Sequence, residues 1–276
     1  MESAQEIYMC RASAKIRKEI GKKLLAGDYV SFIDNKDGTG FINVCEERKN
    51  SFVRPPVANV DMLLIVASAD QPSPVPYNID VLSTIAVKSG AEVYIVVTKS
   101  DIAKAETLAG IYRKTPFELT VTSSSDSKSV DKIRACLKGK TTVLTGASGV
   151  GKSTLINLLF PSLQTDVGEL SDKIRRGRNT TRVTELFSLG EDTYIADTPG
   201  FSMLDIEQCC TLEPGETADC FPEFAPYTVS CRFRKCTHTG EQGCAVSEAV
   251  EKGLVSASRH ESYIKLFNEV KNIPRY

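Results

Sequence analysis

Apolar and polar positions follow two different patterns along this chain. In residues 1–56, short strand-like runs at 28–33 and 41–44 flank a segment rich in turn residues. From residue 57, continuous apolar runs alternate with segments in which apolar residues recur at helical spacing. Continuous runs are typical of strands covered on both faces. The pattern predicts a small β-barrel followed by a doubly wound α/β sheet.

The elements of the predicted sheet can be placed on the sequence. Its buried strands are expected at 61–67, 93–97, 118–121, 141–145 and 193–196. Helices are expected around Ile79, Leu82, Ile85 and Ala86, at 103–113, and from residue 153.

The alternation ends after about residue 205. Irregular sequence containing Cys and Pro runs to residue 243, and a final helix follows. That helix is expected to be amphipathic, with one apolar face made by Tyr263, Leu266, Phe267 and Val270. We therefore expect three domains, at 1–56, 57–205 and 206–276.

Length and charge narrow the class of protein. The 276 residues are enough for two or three small domains, and the longest apolar stretch, 62–67, is too short to span a bilayer. The N-terminus lacks a cationic segment leading into an apolar one, so we expect a cytoplasmic protein with no membrane contact. A net charge of −1 argues against a uniformly basic nucleic-acid binder but allows local basic patches. We expect a monomer.

A phosphate-binding loop follows the strand predicted at 141–145. The pattern G-x-x-x-x-G-K-[ST] is matched without a mismatch by Gly146, Ala147, Ser148, Gly149, Val150, Gly151, Lys152 and Ser153, and Thr154 comes next. Such a loop turns several N–H groups toward one polyphosphate and adds the positive end of a helix. Lys152 is expected to reach the β- and γ-phosphates, and the Ser153 hydroxyl to ligate Mg²⁺. A chance glycine-rich turn is the alternative.

A candidate base-reading segment, Thr98-Lys99-Ser100-Asp101, lies upstream of that loop. The Asp101 carboxylate would accept the N1–H and N2–H₂ donors of guanine, which adenine cannot offer. The stem of Lys99 would lie along the base, and Thr98 stands where Asn is more usual. Residues 121–123, at the next strand end, could support the base. A solvated loop end is the alternative.

A D-x-x-G segment, Asp197 to Gly200, follows the phosphate loop. Asp197 is expected in the Mg²⁺ shell, and the Gly200 N–H at the γ-phosphate. Within the basic segment 175–182, Thr181, ahead of Thr180, is expected to complete the Mg²⁺ coordination. The order of base reader, phosphate loop and switch predicts a circularly permuted GTPase core.

Four potential metal ligands lie close together near the C-terminus. Cys231, Cys236, His238 and Cys244 supply three thiolates and one imidazole, a tetrahedral set that predicts one structural zinc ion. Unligated buried thiols are the alternative. The other cysteines are expected to be small apolar residues, since a cytoplasmic chain does not favour disulfides.

With these motifs in place, the chain resembles the RsgA/YjeQ family, the circularly permuted GTPases that depend on the small ribosomal subunit. The shared motifs are TKSD, GASGVGKST, RGRNTTR, DTPGF and Cys-x₄-Cys-x-His-x₅-Cys, and they extend over nearly the whole chain. The resemblance implies an N-terminal OB-fold, a permuted core and a C-terminal zinc domain. It also implies hydrolysis of GTP to GDP and phosphate, stimulated by the 30S subunit late in its maturation.

The same resemblance implies contact with 16S rRNA. Arg232, Arg234 and Lys235 lie between the first two zinc ligands, where a pinned loop would hold them outward to meet phosphates. Ordinary surface charge is the alternative. Three departures are Asn179, where family members often carry His, Thr98 in place of the more general Asn, which the family tolerates, and a short N-terminal barrel region.

Hydrolysis by the isolated protein is expected to be slow. Phe201 follows D-x-x-G at the position where Ras-like enzymes place a water-orienting Gln. Two other functions stay open: a nucleotide-gated RNA-binding module in which hydrolysis is incidental, and a P-loop ATPase or small-molecule kinase. The Asp101 segment argues against the second.

Overall fold

A computed structural model describes residues 7–12, 16, 23–103, 105–161, 184, 186–197 and 212–274, with only the backbone of Asp197. The N-terminal strands β1 (Met9–Ala12), β2 (Val30–Asp34) and β3 (Thr39–Cys45) form a sheet of order β1-β3-β2. The strands β2 and β3 pair antiparallel, and β1 pairs parallel to β3. The two strands predicted here are therefore confirmed. A closed barrel stays a prediction.

A short hairpin joins this sheet to the rest of the chain. Its strands, β4 (Ser51–Phe52) and β5 (Val57–Ala58), pair antiparallel, and Phe52 and Val57 are buried in the same core as the large sheet. The hairpin thus runs across the expected boundary at residue 56. Where one domain ends and the next begins stays a prediction.

The large sheet contains every strand predicted for it. Its strands are β6 (Met62–Ser68), β7 (Glu92–Thr98), β8 (Glu118–Val121), β9 (Thr141–Thr145), β10 (Leu186–Ser188) and β11 (Tyr194–Asp197). Their order is β10-β11-β9-β6-β7-β8, with β10 antiparallel and the others parallel. Because parallel strands end at one edge, the loops after β6, β7, β8 and β9 meet there, and β11 ends at the same edge.

Helices cover both faces of this sheet. Side chains of β6 alternate between the faces: Leu63, Ile65 and Ala67 belong to one apolar core, and the residues between them to the other. The first core is covered by α1 (Pro76–Lys88) and α2 (Glu106–Tyr112), and the second by α3 (Ser127–Leu137) and α4 (Lys152–Leu159). Each fully buried Leu, Ile or Val contributes about 1.5–3 kcal/mol, so both faces are strongly held.

The C-terminal segment packs on the α1 face of the sheet. It contains short 3₁₀ turns at Pro214–Glu216, Ala218–Cys220 and Pro222–Phe224, followed by α5 (Ala225–Thr228), α6 (Ala245–Glu251) and α7 (Ala257–Lys271). The apolar face predicted for the last helix is confirmed, because Tyr263, Leu266, Phe267 and Val270 are all buried. Among the described residues, no helix is long and apolar enough to cross a membrane.

A buried ionic cluster connects α7 to α1. Arg259 has no exposed surface, and its guanidinium donates to Asp80 Oδ1 at 2.8 Å and to Ser83 Oγ at 3.1 Å. It also donates to both carboxylate oxygens of Glu223, at 2.7 and 3.2 Å. The ring of Phe221 lies 4.3 Å from the guanidinium carbon. Burial raises the pKa of Asp80, and the charge of Arg259 opposes that rise.

Candidate nucleotide site and metal centre

The phosphate loop leaves β9 through a backbone that only glycine fits. Gly146 has φ +144°, and a Cβ there would lie 2.1 Å from the Val66 carbonyl oxygen. Gly151, at φ +98°, is the residue from which α4 begins. The Lys152 ammonium folds back over the loop and donates to the carbonyls of Gly146 at 2.7 Å and Ala147 at 2.8 Å. Ser153 and Thr154 are exposed in the first turn of α4, where unpaired N–H groups favour an anion.

Side chains from the end of β7 hold the same loop. The buried Thr98 hydroxyl donates to the Val150 carbonyl at 2.5 Å. The Lys99 ammonium donates to the Gly149 carbonyl at 2.9 Å and to the carbonyl of Gln71. Two consecutive peptide units of the phosphate loop are thereby fixed in orientation by the upstream segment. Direct contact of Thr98 with a nucleotide stays a prediction.

The base-reading candidate and the phosphate loop line one cavity of about 210 Å³. Its wall includes Lys99, Asp101, Ser123, Ser124, Thr154 and Leu158. The loop after β8 is held in place because Ser100 N donates to Thr122 O at 3.3 Å and Ser129 Oγ donates to Thr122 Oγ1 at 2.7 Å. Segments about fifty residues apart in sequence therefore share one site, and Lys99 lies in its wall.

The switch residues are only partly described. Asp197 is the last residue of β11, and its backbone pairs with Leu144, one residue before the end of β9. This register brings Asp197 to the edge from which the phosphate loop leaves. The other predicted switch residues lie outside the described residues: Asn179, Thr180, Thr181, Gly200 and Phe201.

The four predicted metal ligands converge. Three cysteine sulfurs and one imidazole nitrogen lie within 4.8 Å of one another; they belong to Cys231, Cys236, His238 and Cys244. His238 Nδ1 lies 3.5 Å from the sulfur atoms of Cys231 and of Cys244. Burial lowers the pKa of His238, which favours the neutral imidazole that binds metals. Three thiols and an imidazole suit a tetrahedral zinc ion.

The loop between the first two of these cysteines carries exposed cations. Arg232, Arg234 and Lys235 are all exposed, and the guanidinium of Arg232 lies 5.5 Å from the Phe233 ring centre. The Arg232 N–H donates to the Gly243 carbonyl at 3.0 Å, which fixes the start of this loop against the residue that precedes the metal ligand Cys244. These three cations are therefore exposed to solvent on a loop that is braced, meaning held in place at one end by a backbone hydrogen bond.

Several residues that shape these sites were not predicted. Gln71 binds Lys99 through its carbonyl, and Ile102 and Leu158 line the cavity. Glu241 accepts hydrogen bonds beside His238. A backbone carbonyl carries no sequence signal, and Ile102 and Leu158 have the apolar character of any core position. Glu241 could have been noticed in the sequence as an acidic residue between the metal ligands His238 and Cys244.

Comparison with known proteins decides the family. The family model described as RsgA GTPase matches residues 45–207. The chain belongs to the RsgA GTPase family. The resemblance seen in the motifs is thus confirmed, and with it the assignment to a family of GTPases.

Members of the RsgA family match along the whole or nearly the whole chain. A protein of Alkaliphilus metalliredigens named small ribosomal subunit biogenesis GTPase RsgA is 40% identical, over 100% of this chain and 95% of its own length. Another so named, from Caldanaerobacter subterraneus, is 37% identical over 96% of this chain and 89% of its own.

Solved structures of RsgA-like proteins share the fold. YjeQ from Thermotoga maritima superposes with a TM-score of 0.80 at 31% identity, covering 96% of this chain and 90% of its own. YloQ, described as a circularly permuted GTPase, gives a TM-score of 0.78 at 31% identity, covering 100% and 90%. The permuted α/β GTPase fold is therefore confirmed.

Proposed function

We propose that this protein hydrolyses GTP to GDP and phosphate and acts in late maturation of the small ribosomal subunit. The observation that carries the proposal is the single cavity lined by Asp101 and the phosphate loop. A carboxylate at that place selects guanine, because a base without paired N–H donors would leave it unpaired. The names of the relatives support the ribosomal role.

The phosphate loop performs most of the charge stabilisation in this proposal. Its amides and Lys152 bind the β- and γ-phosphates, and the negative charge that develops in the transition state falls on the same groups. Water attacks the γ-phosphorus in line, the bond to the β–γ bridging oxygen breaks, and GDP leaves with that oxygen. Ser153, Asp197 and Thr181 would hold Mg²⁺, which supplies charge neutralisation on the phosphates. The Gly200 N–H would contact the γ-phosphate.

Slow intrinsic turnover follows from the switch sequence. Phe201 cannot orient water by hydrogen bonding, and Asn179 stands where relatives often carry His. Small GTPases without an activator turn over at about 10⁻⁴ s⁻¹ and gain up to roughly 10⁵-fold on activation. The 30S subunit is the proposed activator.

The C-terminal metal centre has a structural role in the proposal. Cys231, Cys236, His238 and Cys244 would hold one zinc ion, with no position left for a catalytic water. The braced cations Arg232, Arg234 and Lys235 would meet phosphates of 16S rRNA. The N-terminal sheet would form an OB-like barrel over 1–56, before a GTPase domain at 57–205 and a zinc domain at 206–276. The protein would act as a monomer in the cytoplasm.

GTP turnover titrated with 30S subunits tests the proposal. The wild type should be slow alone and accelerate with subunits, and GTP should outcompete ATP. Asp101→Asn removes a charged hydrogen bond worth about 1.5–3 kcal/mol, so guanine-nucleotide affinity should fall about 10–100-fold. Xanthine nucleotides should gain, because the new amide can donate to the xanthine O2 oxygen.

The outcomes separate the competing functions. Turnover unchanged by subunits, with nucleotide-dependent binding to 30S, would favour an RNA-binding module with incidental hydrolysis. Equal affinity for ATP and GTP would overturn the guanine assignment.

A further inference from the structure

The metal ligand His238 has an unusual backbone conformation. Its φ is +58°, in the left-handed region that non-glycine residues seldom adopt. The side chain is 5% exposed and its Nδ1 is directed at two cysteine sulfurs. Something must hold the backbone in this conformation if the imidazole is to face the thiols.

Glu241 accepts hydrogen bonds from the residues on both sides of His238. Its Oε1 accepts the Thr237 N–H at 2.6 Å and the Thr237 hydroxyl at 2.5 Å, and its Oε2 accepts the Thr239 N–H at 2.9 Å. One carboxylate thus binds the backbone N–H groups of both residues next to the metal ligand His238. Burial acts to raise the pKa of Glu241, but hydrogen bonds from Thr237 and Thr239 outweigh it and lower the pKa to about 2.

Helix α7 binds the carbonyls of the same tripeptide. The Tyr263 hydroxyl donates to the Thr237 carbonyl at 2.5 Å. His260 Nε2 lies 2.8 Å from the His238 carbonyl oxygen, and since a carbonyl only accepts, Nε2 must carry the proton. The tripeptide is therefore held through its N–H groups by Glu241 and through its carbonyls by α7.

We propose that Glu241 is the positioning residue of the metal centre: it holds His238 in the left-handed conformation that turns Nδ1 toward the cysteine sulfurs. The inference rests on the proposed zinc site. Groups that orient metal ligands without touching the metal typically contribute 10–100-fold to metal affinity. Because α7 holds only the carbonyl side, it cannot replace the carboxylate between the two N–H groups.

The test measures Co²⁺ and Zn²⁺ affinity of the full chain by chelator competition, with Co²⁺ absorption reporting the ligand set. Glu241→Ala should bind both metals about 10–100-fold more weakly than wild type, with a Co²⁺ spectrum altered by loss or displacement of the imidazole. Glu241→Gln keeps the size but offers its NH₂ to one of the two N–H donors, so its affinity should also fall. Glu248→Ala, at an exposed glutamate of α6, should match wild type.

Guanine-nucleotide affinity and the far-UV circular dichroism spectrum serve as readouts of the remaining fold. Both should be unchanged in Glu241→Gln, which separates a local role from global unfolding. Wild-type metal affinity and an unchanged Co²⁺ spectrum in both Glu241 variants would overturn this inference alone. Failure of the wild type to bind Co²⁺ would overturn the zinc proposal and this inference together.

Discussion

The buried arginine of α7 provides the sharpest test of how the C-terminal segment is held on the core. Replacing Arg259 with Met keeps much of the side-chain volume but removes the only charge that the structure shows between Asp80 and Glu223. Both carboxylates have almost no exposed surface, at 1% and 3% of the side chain. Both buried negative charges would then lose their shared cationic partner.

The expected cost is large. Removing one partner of a buried ion pair typically destabilises by about 3–5 kcal/mol. With an m-value of about 3 kcal/mol/M, a loss of about 4 kcal/mol lowers the urea midpoint by about 1.3 M. Adding Asp80→Asn and Glu223→Gln should restore about 2 kcal/mol or more, because the buried charges are then gone. The Tyr112 hydroxyl can still donate to the side chain at position 80, and the Ser83 hydroxyl keeps its hydrogen bond to the backbone carbonyl of residue 80.

Urea unfolding followed by far-UV circular dichroism measures these differences. Lys252→Met serves as the control, because Lys252 and its partner Glu248 are both exposed and such pairs contribute about 1 kcal/mol or less. The reasoning would be refuted if Arg259→Met unfolded within 1 kcal/mol of wild type. It would equally fail if the triple variant were as unstable as the single one.

The nucleotide site yields two further predictions. Thr98→Val leaves the Val150 carbonyl without its hydrogen-bond donor, so GDP affinity should fall about 5–100-fold. Thr98→Ser keeps the hydroxyl and should bind GDP nearly as tightly as wild type. The preference for guanine over xanthine should be unchanged in both variants. Nucleotide titration checks this, and a change in base preference without loss of affinity would contradict it. Gly146→Ala forces a Cβ against the Val66 carbonyl and should abolish measurable GDP binding. The control Gly110→Ala places its Cβ in open space on α2 and should bind GDP normally. Equal GDP affinity in the two variants would show that the close approach of Gly146 to Val66 is unimportant.

Elements with a strong apolar period could be predicted from the sequence. Strand β6 and helix α1 are covered by neighbours over most of their length, so their apolar positions follow directly from burial. The phosphate loop and the metal ligands could also be predicted, because their chemistry needs fixed residue types at fixed spacing. The meeting of Asp101 with Gly151 and Thr154 in one cavity follows from the common edge at which parallel strands end.

Side-chain contacts between the C-terminal segment and the large sheet's helices could not be predicted. Arg259 lies on the same helical face as Tyr263 and Leu266, and a charge on an apolar face was a visible signal. Its partners were not visible, since Asp80 is 179 residues away and pairing depends on how α7 lies on α1. The β4–β5 hairpin was missed because strands of two residues have no period. Glu241 was visible only as an acidic residue between two metal ligands, because the backbone N–H groups that it binds leave no residue pattern.

Helix α7 presents neighbouring side chains to two different parts of the molecule. Arg259 forms an ion pair with Asp80 of α1, and His260 donates a hydrogen bond to the carbonyl of the metal ligand His238. Asn78 and Ile79 of α1 line a cavity of about 70 Å³ together with Gly146 and Ala147 of the phosphate loop. The metal ligand and a wall that contains phosphate-loop residues are therefore connected by contacts that run through two helices, α7 and α1.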